Sequence, residues 1–391
     1  MKMLRAVVAG LLLAAALPAS AAVNGNEISQ RLVSEGNALA LQRKFSAAAE
    51  KYEAARKESP DASAPLSSFA YLLYSLAAGD PSPQAKAQLE RAREWAAKAL
   101  ALAPEDPLAN EVMRGLEDDT LPAAYQPNKE AAQAFDEGEV LFHNGQYDAA
   151  RAKYRAAYKA DPGYSKALVM EGDAYFAEKN WAGAELLFVM ATETDPLDAQ
   201  AWRFLSDARA RQGNAEGALG ATLHAIAAMP SQAGNWQRLK AAVAGSDKPM
   251  TRLALERKAW VQRDASSGKT AINWSPDTKA AAENGDQAIW LAYALAYSAG
   301  PKDHKPESPF QKELRAWDAA LGIAAELEAS GKPGLQAPGL RTLQKLRAAG
   351  QLEAAILLLM YKESYRPDFE AWKKAHPGAV AEFTDTWRLM P

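Results

Sequence analysis

From Ala131 to Gln232 the small and apolar positions recur with a period of 34 residues, giving three consecutive units. Gly138, Gly172 and Ser206 fall one period apart, at position 8 of each unit. Ala150, Ala184 and Ala218 form a second column at position 20, and Ala157, Ala191 and Ala225 a third at position 27. Pro162, Pro196 and Pro230 close each unit at position 32. Bulky residues fill the space between: Tyr147 and Trp181 at position 17, Tyr154 and Phe188 at position 24. The spacing predicts two helices per unit, approaching closely at the small residues. Proline stops the second helix, because it lacks an N–H and its ring clashes with the preceding turn. A fixed period of this length predicts a stacked array of hairpins.

Four columns in register resemble the tetratricopeptide repeat family, in its exported bacterial form. The resemblance implies an all-α fold, a superhelical array of helix–turn–helix hairpins whose role is to bind a protein or peptide partner. It names no partner.

The pattern weakens away from the centre. Residues 22–106 read as N-terminal hairpins. Ser29 to Ala62 is one copy, with Gly36, Ala48, Ala55 and Pro60 in the columns. Pro65 to Leu76 and Gln84 to Leu102 read as an expanded hairpin around Gly79-Asp80-Pro81-Ser82-Pro83. Residues 107–130 read as a linker or hinge, with one helix at Leu108 to Leu116. The central array is expected over 131–266. Trp236 and Leu239 continue it, and a last helix is expected from Thr251 to Arg263, although Arg252 occupies the small position 20. Residues 267–391 read as an irregular helical region. It holds helices ending near Ser298 and spanning Phe310 to Ala329, a cryptic hairpin over 336–369, and two capping helices split by Pro377. No alternating β-branched run stands out, so almost no strand is expected.

Met1 to Ala21 reads as a cleavable secretory signal. Lys2 and Arg5 precede an apolar run from Ala6 to Leu17, and Ala19-Ser20-Ala21 suits cleavage after Ala21. A periplasmic or secreted protein is the expectation. The chain carries a formal net charge of −3, and losing Lys2 and Arg5 makes the remainder more acidic. Such a balance suits solubility and speaks against nucleic acid as a partner. The absence of cysteine excludes disulfides, thiolate metal sites and cysteine nucleophiles.

No catalytic or metal motif is complete, and no cofactor is expected. Gly268-Lys269-Thr270 matches the tail of a phosphate loop, but its first glycine is replaced by Arg263. The histidines His143, His224, His304 and His376 lack metal spacing; only His143 falls on a groove face. In the resembled family, first-helix positions 2, 5, 6, 9, 12 and 13 line the concave surface. Position 9 here is Glu139, Asp173 and Asp207, a column of carboxylates. Around it stand Phe135, Phe142, Met170, Phe176 and Phe204, with Lys166, Arg203, Arg211 and Arg238 adding positive charge near one end. The family's best-known clamp for a peptide carboxylate is basic and Asn-rich. This chain departs from it, keeping only Asn37 at position 9 of the first copy. A ladder of three acids that captures a basic or amide-rich extended peptide is the expectation. Two other readings place the site in the C-terminal region. One is an enzyme around His304 to Trp317. The other is a carrier of a glycan or other small ligand, held by Trp290, Tyr293, Tyr297 and Trp317.

Overall fold

A computed structural model describes residues 21–41, 44–78, 82–104, 106–117, 125–255, 258–263, 270–274, 285–300 and 306–391. The signal segment before Ala21, Gly268-Lys269, Ser275-Pro276 and His304 lie outside the described residues. The chain divides into two units, Met1–Pro249 and Met250–Pro391.

The first unit is helical throughout its described residues. It comprises α1 (Ala21–Asn24), α2 (Glu27–Leu41), α3 (Phe45–Glu58), α4 (Ala64–Ala77), α5 (Pro83–Leu102), α6 (Pro107–Glu117), α7 (Lys129–His143), α8 (Tyr147–Ala160), α9 (Ser165–Ala177), α10 (Trp181–Thr194), α11 (Ala199–Arg211), α12 (Ala215–Ala228) and α13 (Ala233–Ala242). Successive helices pair as hairpins, α2 with α3, α4 with α5, α7 with α8, α9 with α10 and α11 with α12.

The columns explain the pairing. A Cβ added at Gly138 would lie 2.7 Å from the Tyr154 ring, and one at Gly172 would lie 2.6 Å from the Phe188 ring. Position 8 is therefore small because position 24 is aromatic. Where position 24 shrinks to Thr222, position 8 grows to Ser206, whose Oγ lies 2.9 Å from Thr222 Oγ1 and 2.9 Å from the Ala218 carbonyl oxygen. The column alanines at 150, 157, 184, 191 and 225 are fully buried. The turn inside each hairpin needs one left-handed residue: Gly145, Lys179 and Gly213 have φ of 73°, 64° and 80°. Side-chain caps start several helices, as where Asn128 accepts from Ala131 N at 2.9 Å and Asp198 from Gln200 N at 2.9 Å.

Residues 107–117 are not a free linker. They form α6, which packs against α4, α5 and α13.

The second unit contains β1 (Thr251–Arg252), β2 (Ala259–Arg263), β3 (Thr270–Trp274), α14 (Asp286–Ser298), α15 (Pro309–Ala329), α16 (Pro338–Ala348), α17 (Leu352–Leu359), a 3-10 turn (Glu363–Tyr365), α18 (Arg366–Ala375), α19 (Ala379–Trp387) and β4 (Leu389–Met390). The helix expected from Thr251 to Arg263 does not form. β1 pairs in parallel with β4, and β2 pairs antiparallel with β3 in the register Val261 to Ile272. With Arg252 in place of a small residue, no close helix–helix approach is available. The β-branched and aromatic residues Trp260, Val261, Thr270, Ile272 and Trp274 suit a pleated pair instead. Gly350 takes φ of 70° between α16 and α17, the same turn device as in the first unit. Ser308 and Gln311 form a reciprocal capping box at the start of α15.

Candidate functional site

The first helices α7, α9 and α11 carry Glu139, Asp173 and Asp207 at equivalent places, but the three carboxylates have different neighbours. Glu139 accepts a hydrogen bond from the Tyr154 hydroxyl at 2.7 Å. Asn37 at the same position of the N-terminal copy accepts from Tyr52 in the same way, at 2.8 Å. Asp207 pairs with Arg238 of the next repeat, which donates Nε at 3.2 Å and Nη2 at 2.8 Å. Asp173 has neither resource. Its own position 24 is Phe188, which carries no hydroxyl, and position 6 of the following repeat is Phe204 rather than arginine. Partly buried between two other acids, its carboxyl is pushed up to about 7 by burial first, then by Glu139 and Asp207. The ladder of three equal acids is thus corrected: two are held inside the array, and Asp173 is the one whose charge the fold leaves uncompensated.

The same first helices carry aromatic rings. Phe142 is partly buried, edge-on to Tyr147 at 5.4 Å and next to the exposed His143 at 6.2 Å. Phe176 is likewise half covered, against Trp181 at 4.5 Å. Arg211 is exposed and lies over the Trp181 ring at 5.8 Å. Met170 is partly buried. Phe135 is only 5% exposed, packed on Tyr154 and Tyr164, with Lys166 Nζ 5.3 Å from its ring centroid. It is core rather than an open anchor.

At the other end the expected groove residues are covered. Arg203 is buried and donates to Gln232 and, at 3.1 Å, to Asn235. Burial and nearby Arg238 lower its pKa to about 10, against the pull of Asp198, Glu111 and Tyr71. Phe204 is buried against Phe188, ring to ring at 5.5 Å. Glu111 and Tyr71 belong to α6 and α4, so the N-terminal hairpins meet the first-helix face here. Arg114 donates to the Ser231 carbonyl at 3.0 Å, and Ala233 N donates to Glu111 at 3.1 Å. Sequence reading missed this contact, since it joins residues 117 and 122 positions apart.

In the second unit Trp290, Tyr293 and Trp317 are buried and pack on one another, Tyr293 to Trp317 at 4.5 Å. The buried Glu313 carboxylate accepts from the Tyr293 hydroxyl at 2.9 Å and from the Trp317 indole at 2.9 Å. Trp290, Tyr293 and Trp317 form a core with an internal polar anchor, and Tyr297 beside them is partly buried with Lys312 Nζ 4.4 Å from its ring centroid. Among the described residues no group of three metal-ligating side chains converges, and no helix is long and apolar enough to cross a membrane.

Residues 141–208 match the family model described as tetratricopeptide repeat. No curated protein matches the chain. Similar solved structures include the Sgt2 repeat domain from Aspergillus fumigatus, 22% identical, covering 38% of this chain and all of that one, with a TM-score of 0.29. The first repeat domain of Spaghetti, solved with an HSP90 peptide, is 21% identical over 32% of this chain and all of its own, with a TM-score of 0.30. A two-domain segment of yeast Sti1, solved in complex with pHSP90, is 16% identical over 57% of this chain and all of its own, with a TM-score of 0.29.

Proposed function

We propose that this chain, a member of the tetratricopeptide repeat family, is an exported interaction scaffold that takes an extended, cationic or amide-rich peptide along α7 and α9. It is read as a binding protein, not an enzyme. The observation that carries the reading is Asp173. A carboxylate raised to about 7 gains most from a partner that brings a positive charge or N–H donors, because binding then restores the compensation that folding withheld. Phe142 and Phe176, both only partly buried, supply apolar contact. Export rests on the leader-like run from Lys2 to Ala21, and a mature N-terminus at Ala22 is its direct consequence.

The test is affinity for a fluorescent peptide of alternating lysine and phenylalanine, measured for the parent and for Asp173→Asn, Glu139→Gln and Asp207→Asn at low and high salt. A charge-assisted contact contributes about 1.5–3 kcal/mol, so Asp173→Asn weakens binding about tenfold or more. The other two change it less, because their carboxylates already have partners. Salt weakens parent binding and narrows the gap. Parent-like affinity for Asp173→Asn at both salts removes the proposal.

A further inference from the structure

Two hairpins of the array repeat one pair of rings at the same place. Phe142 near the end of α7 meets Tyr147 at the start of α8 edge-on at 5.4 Å. One period on, Phe176 near the end of α9 meets Trp181 at the start of α10 in the same way, at 4.5 Å. All four rings are only partly buried. In the third repeat both positions are alanines, Ala210 and Ala215, and both are exposed. The ring pair therefore marks two places along α7 to α12, one period apart.

On α9, Phe176 lies three residues after Asp173, so the two share a helix face about 4.5 Å apart along the axis. The first helices of successive repeats touch: Lys166 at the start of α9 lies 5.3 Å from the centroid of the Phe135 ring of α7, and α9 packs on α11. Packed helices stand about 8–10 Å apart. That separation selects a ligand conformation. A β-strand returns its side chains to one face every two residues, about 6.7 Å, or every four, about 13 Å. A polyproline II segment turns once in three residues and rises about 3.1 Å per residue, so its side chains return every 9 Å or about that.

We propose that the groove reads a polyproline II segment in which two apolar side chains stand three residues apart with a lysine between them. The apolar side chains take the two ring pairs, one on each hairpin. The lysine, turned a third of a turn from them, reaches the neighbouring acid row at Asp173. Such a segment makes no hydrogen bonds within itself, so its backbone amides stay free to donate to the groove. Arg211, exposed and 5.8 Å from the centroid of the Trp181 ring, stands at the second ring pair and disfavours a second cation there. This preference refines the proposed function and rests on it.

Fluorescence anisotropy with the full chain tests the spacing. Three proline-rich peptides of equal composition carry two phenylalanines with one lysine between them, the phenylalanines two, three or four residues apart. The three-residue spacing is expected to bind about tenfold more tightly than either of the others. A second measurement builds a third anchor at an exposed place, where the fold tolerates it. Ala210→Phe is expected to bind a peptide with three phenylalanines at three-residue intervals severalfold more tightly than the parent does, and the two-phenylalanine peptide equally. Equal affinity across the spacings, or a preference for two or four, overturns the polyproline II reading and leaves a cationic-peptide groove in place. So does an Ala210→Phe chain that gains nothing for the longer peptide, or binding of the alternating lysine–phenylalanine peptide with none of this series bound. If no peptide of either kind binds, the functional reading fails and the spacing falls with it.

Discussion

The repeat array and the second unit both bury aromatic rings next to carboxylates, but they arrange the two in opposite ways. In the α7–α8 and α9–α10 hairpins one ring, Tyr154 or Phe188, lies against a glycine inside, and the carboxylate stands at the edge. In the second unit the carboxylate of Glu313 sits at the centre, 1% exposed, with Tyr293 and Trp317 donating to it. A carboxylate enclosed by its own donors is finished chemistry and fixes a core. A carboxylate at the edge without donors is left to interact with something else. The contrast separates Glu313, which holds the fold, from Asp173, which the fold burdens.

The largest effect expected from this contrast is at the centre of the second unit. Glu313→Ala leaves the Tyr293 hydroxyl and the Trp317 indole without their acceptor and opens a cavity. It should cost about 3–5 kcal/mol. Urea unfolding followed by tryptophan fluorescence measures this, and a loss below about 1 kcal/mol breaks the contrast.

Next comes the glycine column. Gly172→Ala places a methyl 2.6 Å from the Phe188 ring and should cost about 1–3 kcal/mol. Combining it with Phe188→Leu should recover part of that loss. Ser206→Ala loses hydrogen bonds without a clash and should cost about 1 kcal/mol.

Asp173 should behave in the reverse sense to Glu313. Its folded pKa of about 7 lies above its unfolded value, so the folded chain holds more protons between about pH 4 and 7. Stability contributed by the protonated form is therefore lost as pH rises through that window. Asp173→Asn removes this slope and should stabilise the array by about 1–2 kcal/mol at pH 8, after allowing for partial exposure, with little effect at pH 4. Urea midpoints across that range, with the sign reversed, would show a carboxylate that folding favours.

The smallest effect is in the turns. Lys179 occupies the left-handed place that Gly145, Gly213 and Gly350 fill without strain. Lys179→Gly should stabilise by about 0.5–1 kcal/mol, whereas Gly350→Ala should destabilise by about 1 kcal/mol. Thermal unfolding of the two variants reads both signs.

The array was legible because its columns constrain each other locally: Gly172 with Phe188, Ser206 with Thr222, the prolines with the helix ends. The strands β2 and β3 do not show in the repeat pattern, because Ala259 keeps the small residue of position 27 although Arg252 breaks position 20. The covering of Arg203 was not legible, since Glu111 and Arg114 follow no period shared with α13. The three acids were legible as a column, and their inequality was also written in it. Reading position 9 against its own position 24 and the next repeat's position 6 assigns Tyr154 to Glu139 and Arg238 to Asp207, and nothing to Asp173.

The most direct test of the account follows the Asp173 carboxyl carbon by NMR through a pH titration, assigned by comparison with Asp173→Asn. The account gives a midpoint near 7 in the free protein. It also gives a fall of about one unit or more on saturation with the alternating lysine–phenylalanine peptide, because a nearby cation favours the ionised form. A midpoint near the ordinary value of about 3.9, unmoved by the peptide, would contradict it.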